Sequence, residues 1–345
     1  MSHTTLLERF TGCLVGGAIG DALGYPIEFD SYQRICDLFG PQGIQDYWLE
    51  ETGGVALFSD DTQMTLFTAE GLVKAGTDAT RAAYASAIHK AYLDWLRTQR
   101  GPYAEGVKGY TWLMQVPELY SRRAPGNTCL SALGSRRMGL MEEPINQSKG
   151  CGGVMRVAPC GLFFDDPNEA AMVAAIAAAI THGHPLGYIS AAGLAYIVNR
   201  CALAAPVALE QVVRDCIELL PTWFEDEVAY AADMSDLLAR AIELAHNDDP
   251  DQRNIMRLGD GWVGEEALAI AVYAALRHEG DFTNTIICSV NHDGDTDSTG
   301  AIAGNIAGAQ LGMGAIEDRW IDTLELRDVI ERVACELLET RLGNN

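Results

Sequence analysis

The chain has 345 residues, 48% of them hydrophobic, with 24 Lys and Arg against 48 Asp and Glu, a formal net charge of −24. That length and apolar content suffice for a full core and exclude a disordered or low-complexity chain. The acidic excess excludes a fold-wide basic footprint for nucleic acid, so an anionic ligand must be held by metal ions, helix N-termini or local backbone NH groups.

No uninterrupted apolar run reaches the roughly 18 residues of a membrane span. The N-terminus has no basic segment ahead of an apolar one, so no secretory signal is read there. The nine cysteines are scattered and form no close-spaced pair. They are expected to act as small apolar residues in a reducing cytoplasm.

In chain order, apolar residues recur at three- and four-residue spacing, which predicts helices almost throughout. The first spans Leu6–Leu23, with Thr4 or Thr5 as cap. Ser59 or Asp60 starts a second that runs to about Lys74, and Thr77–Leu96 follows. A short one lies near Cys129–Met138. Then come Glu169–Ile180, Pro185–Leu203, Leu209–Leu220, Glu227–Ala245, Glu265–Leu276, Thr283–Val290, Ser298–Leu311 and Leu324–Leu342. Period-two strands are missing, with 43–58 the only ambiguous stretch. Gly- and Pro-rich stretches at 40–54, 98–126 and 144–161 read as loops rather than linkers. The expectation is an all-α fold, one domain over residues 1–345.

Two helices carry a glycine at every fourth position: Gly12, Gly16, Gly20 and Gly24, then Gly300, Gly304, Gly308 and Gly312. Each costs about 1 kcal/mol relative to alanine inside a helix. Residues four apart share a face, so each helix presents a groove without side chains. The stripes predict two central helices in close backbone contact, with each other or with other neighbours.

Two acidic segments sit at the starts of helices. Ser59-Asp60-Asp61-Thr62 places four oxygen-bearing side chains in a row where one N-cap needs only one. Asp293-Gly294-Asp295-Thr296-Asp297-Ser298 alternates acids in a Gly-containing loop. It is not a calcium loop, because the twelfth position holds Gly304 rather than Glu. If the two segments meet, Asp60, Asp61, Asp295 and Asp297 bring four carboxylates together. A pair about 4 Å apart repels by about 4 kcal/mol at an effective dielectric near 20. Such a cluster raises its own pKa values or takes cations. An all-oxygen donor set favours magnesium, with manganese as the alternative, over zinc.

The run Gly12-Cys13-Leu14-Val15-Gly16-Gly17-Ala18-Ile19-Gly20-Asp21-Ala22-Leu23-Gly24, with Glu28, resembles the opening motif of ADP-ribosylglycohydrolases. Ser59-Asp60-Asp61-Thr62 resembles their first metal motif, and Asp295-Thr296-Asp297-Ser298-Thr299-Gly300 the second. The blocks Gly152–Pro159, Thr181–Pro185 and Gly259–Leu268 are similar to further family blocks, so the resemblance runs in order from about residue 10 to 312.

The resemblance implies a compact orthogonal multi-helix domain around two Mg2+ ions, with Mn2+ as the alternative. Ser59, Asp60, Asp61, Asp295, Asp297 and Ser298 would be the ligands. Glu28 or Asp61 would assist attack on the anomeric carbon. Gly152 and Gly153 would let backbone approach a diphosphate, and His182 would border the ribose. Asp21 is either a supporting residue or a buried helix-packing one. Trp262 is read as core rather than as an adenine platform. Cys151 replaces a commoner Asn, and Asp293 is left without a role. The implied substrate is an ADP-ribosylated protein, and the resemblance covers both arginine- and serine-linked enzymes. Arginine is favoured on electrostatic grounds, because a carboxylate-rimmed site in a chain of charge −24 attracts a cationic guanidinium, with Glu105 or Glu118 of the 98–126 loop to hold it. An immunity protein that binds and reverses an ADP-ribosyltransferase toxin, or a hydrolase of serine- or nucleic-acid-linked ADP-ribose, is the alternative. A prenyl-type enzyme is disfavoured because Asp60-Asp61 lacks that motif's third acid.

Overall fold

The computed structural model describes residues 2–204 and 207–343. Its α-helices are α1 (His3–Gly24), α2 (Tyr32–Phe39), α3 (Asp60–Ala75), α4 (Arg81–Thr98), α5 (Asn127–Gly134), α6 (Ala158–Phe163), α7 (Pro167–Ala179) and α8 (Pro185–Leu203). The series continues with α9 (Leu209–Trp223), α10 (Val228–Ala245), α11 (Asp251–Ile255), α12 (Gly264–Arg277), α13 (Phe282–Val290), α14 (Thr296–Leu311), α15 (Asp318–Ile321) and α16 (Arg327–Arg341). No strand forms among the described residues. The ambiguous stretch 43–58 resolves into turns, with one isolated parallel bridge from Ala56 to Leu324.

The glycine stripes explain the centre of the fold. α1 and α14 run antiparallel with their backbones in contact. A Cβ built at Gly20 would stand 2.0 Å from the Gly300 carbonyl oxygen, at Gly16 2.6 Å from that of Gly304, and at Gly12 2.7 Å from that of Gly308. Only a residue without a side chain fits at each crossing. Asn305 locks the pair by donating from Nδ2 to the Cys13 carbonyl at 2.8 Å. Gly312 belongs to a different device. Its φ of 83° and its NH to the Gly308 carbonyl make it the C-cap of α14.

The remaining helices wrap this pair. α8 is long and apolar enough to cross a membrane by length and composition, but 89% of its apolar window is buried inside the protein. It packs against α6, α7, α12 and α14 and is a core helix. Where elements depart from the sequence reading, local polar chemistry is the reason. α1 starts at His3 because Ser2, not Thr4 or Thr5, caps it, its Oγ accepting from the Thr5 NH at 3.2 Å. α2 was not expected. It buries a single apolar residue, Ile35, and is held by its Ser31 cap, too short a signal for periodicity to register. α6 begins inside the 144–161 segment expected to be loop and runs past its end. Gly161 there permits close packing on α8, a Cβ standing 2.5 Å from the Ala195 carbonyl oxygen.

Candidate metal centre and active site

The C-terminal end of α1 and the N-terminal ends of α3 and α14 converge. At the last crossing of the central pair, Gly24 lies against the backbone of Thr296, and Thr296 Oγ1 donates to the Gly24 carbonyl at 2.8 Å. That contact sets the loop carrying Glu28 beside the first turn of α14. Glu28, Asp295 and Asp297 each place a carboxylate oxygen within 4.8 Å of the others. The α3 segment joins them through Ser298, whose Oγ donates to Asp61 Oδ2 at 2.7 Å. The two acidic segments therefore meet as expected.

Buried scaffolding holds them there. Asp21, inside α1, accepts from the Ser59 NH at 2.8 Å, the Thr62 NH at 2.9 Å and Thr62 Oγ1 at 2.6 Å. It supports the start of α3 rather than merely packing helices. Ser59 is the N-cap of α3, its Oγ accepting from the Asp61 NH at 3.2 Å. Asp295 caps α14 and accepts the Ser298 NH at 3.3 Å. Gly294, at φ 112°, lets the second acidic loop cross Asp260, where a Cβ would meet the Asp260 carbonyl oxygen at 2.0 Å. The Asp295 NH donates to that carbonyl, so the block containing Asp260 clamps the loop. Asp293 takes a structural role: its Oδ1 accepts the Tyr32 NH at the start of α2, at 2.9 Å.

The electrostatics follow from this burial. Burial, then the neighbouring acids, pushes the Asp60, Asp61 and Asp297 carboxyls well above the usual range. Burial, then Asp295, Asp60 and Asp21, raises Glu28 to about 9. Asp21, lifted by burial but opposed by its hydrogen bonds, stands at about 6. Buried oxygens with too few donors fit cations. Glu28 Oε2 in particular is buried and accepts no hydrogen bond. The donor set is carboxylate and hydroxyl oxygen, the chemistry of a hard divalent ion.

The cluster forms one wall of a cavity of about 460 Å³. Gly152 and His182 line it, as does Gly150. Gly153 does not. It packs on α8, where a Cβ would stand 2.8 Å from the Gly187 carbonyl oxygen. His182 is buried, and its Nδ1 pairs with Thr181 Oγ1 at 2.8 Å. Burial, then Arg156, lowers it to about 3, so it is neutral. Arg156 itself is buried and donates to Thr181 Oγ1 at 2.7 Å and the Ala177 carbonyl at 3.0 Å.

Sequence reasoning missed three residues. Trp262, expected in the core, is 41% exposed and lines the cavity, stacked on the more exposed Phe29 with ring centroids 5.8 Å apart. A tryptophan amid glycines was the available signal. Cys151 Sγ donates to Asp295 Oδ2 at 2.7 Å, a contact no local pattern announces. Glu105 and Glu118, expected to hold a guanidinium, are exposed and do not line this cavity.

Residues 2–345 match the family model for ADP-ribosylglycohydrolase. The chain is similar to ADP-ribosylhydrolase ARH3 of Gallus gallus, 26% identical over 96% of this chain and 93% of that one. It is also similar to the ADP-ribosyl-[dinitrogen reductase] glycohydrolase of Rhodospirillum rubrum, 24% identical over 95% and 94%. A solved structure titled "ADP-ribosylglycohydrolase-related protein complex" superposes with a TM-score of 0.67 at 25% identity, covering 98% of this chain and 99% of that one. With its acidic helix starts gathered at one cavity and the family model matched along its length, this chain belongs to the ADP-ribosylglycohydrolase family.

Proposed function

We propose that the protein hydrolyses the glycosidic bond between ADP-ribose and a modified protein side chain, with arginine as that side chain. The observation that carries this reading is the convergence of Glu28, Asp295 and Asp297 within 4.8 Å at the wall of an open cavity. Ser59, Asp60, Asp61, Asp295, Asp297 and Ser298 would hold two divalent ions, magnesium by preference. When bound, such ions chelate a vicinal diol, acidify water and stabilise developing charge.

The chain's own groups do the rest. Gly150 and Gly152 leave backbone open to a diphosphate at the cavity wall. Neutral His182 offers a ring edge to a ribose without repelling the cation-like sugar of the transition state. The carboxylates favour that cation. Glu28 comes from a loop rather than a helix start, and its Oε2 has no donor. Cations bound beside it would restore the charge that burial and the neighbouring acids suppress, and it is then the group placed to take a proton from the attacking water. Asp61 accepts from Ser298 and is better suited to holding an ion.

Glu28→Gln keeps the shape and removes the proton acceptor. We expect kcat to fall about 10²- to 10⁴-fold while the Kd for ADP-ribose, read by calorimetry, stays within about threefold. An equal loss in both would show that Glu28 only binds.

Arginine is favoured by a second cavity of about 430 Å³, which shares Phe29 and Ala124 with the first. Tyr25, Tyr47 and Trp48 line it, with Glu51 among its lining residues. A guanidinium stacks on aromatic faces and pairs with a carboxylate. The test compares ADP-ribose release from arginine-modified and serine-modified proteins at matched concentrations. Arginine should be preferred, and Glu51→Gln should cut kcat/KM for it alone by about fivefold, roughly 1 kcal/mol. A clear preference for serine overturns the linkage and leaves the reaction class standing.

A further inference from the structure

We propose that Asp251, His278 and Cys288 form a zinc site, separate from the acidic centre. The three residues come from different elements: the start of α11, the C-cap of α12 and the last turn of α13. One ligand atom of each lies within 4.8 Å of the other two. They face a cavity of about 300 Å³ that shares no lining residue with the acidic centre's cavity.

Side chains around the trio are arranged as around a metal. Asp251 Oδ1 is occupied: Tyr273 Oη donates to it at 2.6 Å and Arg277 Nε at 3.2 Å. Such outer partners orient a ligating carboxylate. Oδ2 is thereby turned toward His278, whose Nε2 is buried, makes no hydrogen bond and faces it at 3.5 Å. The Arg277 guanidinium is tied down on its other side, Nη1 donating to the carbonyls of Ala245 at 3.2 Å and Asn247 at 2.6 Å.

The ligand chemistry selects the ion. Thiolate, imidazole and carboxylate suit zinc, whereas magnesium takes oxygen alone. The carboxylate and thiolate together balance a charge of +2, and binding releases the Cys288 thiol proton to solvent. Zinc takes four ligands, and water in the cavity supplies the fourth. The ion would tie α11, α12 and α13 together. α13 leads through Asn291, whose Oδ1 accepts the Ile44 NH at 2.8 Å, into the loop that carries Asp295.

The test uses the full chain, stripped with chelator and loaded with Zn2+ or Co2+ alone. The wild type should bind one tight equivalent of zinc beyond any taken by the acidic centre. Its cobalt form should show a thiolate-to-cobalt charge-transfer band and the intense visible bands of tetrahedral cobalt. Cys288→Ser and His278→Gln should lose that equivalent, with affinity falling by more than the roughly 10- to 100-fold typical of losing an outer partner. Asp61→Ala should keep it, and Cys151→Ser should keep the band, which separates this site from the acidic centre. If Cys288→Ser misfolds, the wild-type cobalt spectrum decides alone. A cobalt spectrum without a thiolate band, a band that follows Cys151, or unchanged zinc binding in both variants would show a hydrogen-bonded cluster and overturn the proposal.

Discussion

Asp61→Ala and Asp297→Ala should each reduce ADP-ribose release by about 10³-fold or more, the scale of several kcal/mol of lost charge stabilisation. The metal-free variants should nevertheless be as stable as the metal-free wild type, or more so. The reason lies in the cluster's own repulsion. Burial and neighbouring acids raise Asp60, Asp61 and Asp297 above their ordinary values. A carboxyl raised in the folded state contributes its full stability below its unfolded pKa of about 4 and loses it as pH rises toward the folded value. The wild type in chelator should therefore weaken as pH climbs from about 4 through neutrality. Each variant should weaken less steeply, having one acid fewer. Magnesium reverses the order. It stabilises the wild type by about 2.7 kcal/mol at 100-fold excess over Kd and the variants by little. Thermal melts in chelator and in magnesium across this pH range read both effects. Turnover near wild-type level, or a metal-free variant that melts well below the wild type at neutral pH, would remove Asp61 and Asp297 from the metal centre.

Adding one methyl group to the central helix crossing should have the second large effect. In Gly304→Ala the new Cβ would lie 2.0 Å from the Gly16 carbonyl oxygen, and in Gly20→Ala 2.0 Å from that of Gly300. The obstacle is backbone on a facing helix, which cannot rotate away as a side chain would. The two helices must part by roughly an ångström. Overpacking of this kind costs about 1–3 kcal/mol and occasionally more. The gain of about 1 kcal/mol from replacing a helical glycine offsets only part of that. Function should suffer more than stability, because Gly24 against Thr296 is the contact that sets Glu28 beside Asp297. A displacement near 1 Å at reacting groups costs about 10²-fold in rate. Gly101→Ala is the control: its Cβ would meet nothing within 4 Å, and both readouts should stay at wild-type values. Wild-type stability and turnover in Gly20→Ala would show that the helices do not rely on bare backbone contact.

Several features were legible in the chain because they are local. Helix periodicity located most of the long elements, and two glycine stripes announced a close pair. The acids of 59–61 and 295–298 stood out because so many oxygen side chains at a helix start exceed what capping requires. Trp262 was misjudged for the opposite reason. Burial is a property of three-dimensional neighbours, and the glycines around this tryptophan leave it at a cavity mouth. Gly153 was misplaced beside Gly152 because adjacent positions in a tight turn point to opposite sides. One faces His182, the other the backbone of α8.

The sequence by itself determined that the protein is helical, that α1 and α14 each need a neighbour packed against bare backbone, and that two acid-rich helix starts exist to be brought together. These follow from spacing, propensity and charge within a dozen residues. Only the tertiary structure decided what depends on contacts across hundreds of residues. It left Glu28 with a buried oxygen that accepts no hydrogen bond while tying Asp61 to Ser298, and it made Asp21 the brace of α3 and Asp293 the acceptor of the Tyr32 NH at the start of α2. It also gathered Asp251, His278 and Cys288, whose sequence separation hides them. Ligand geometry is fixed by how helices cross, and the crossing is set by side chains, or their absence, on both partners at once.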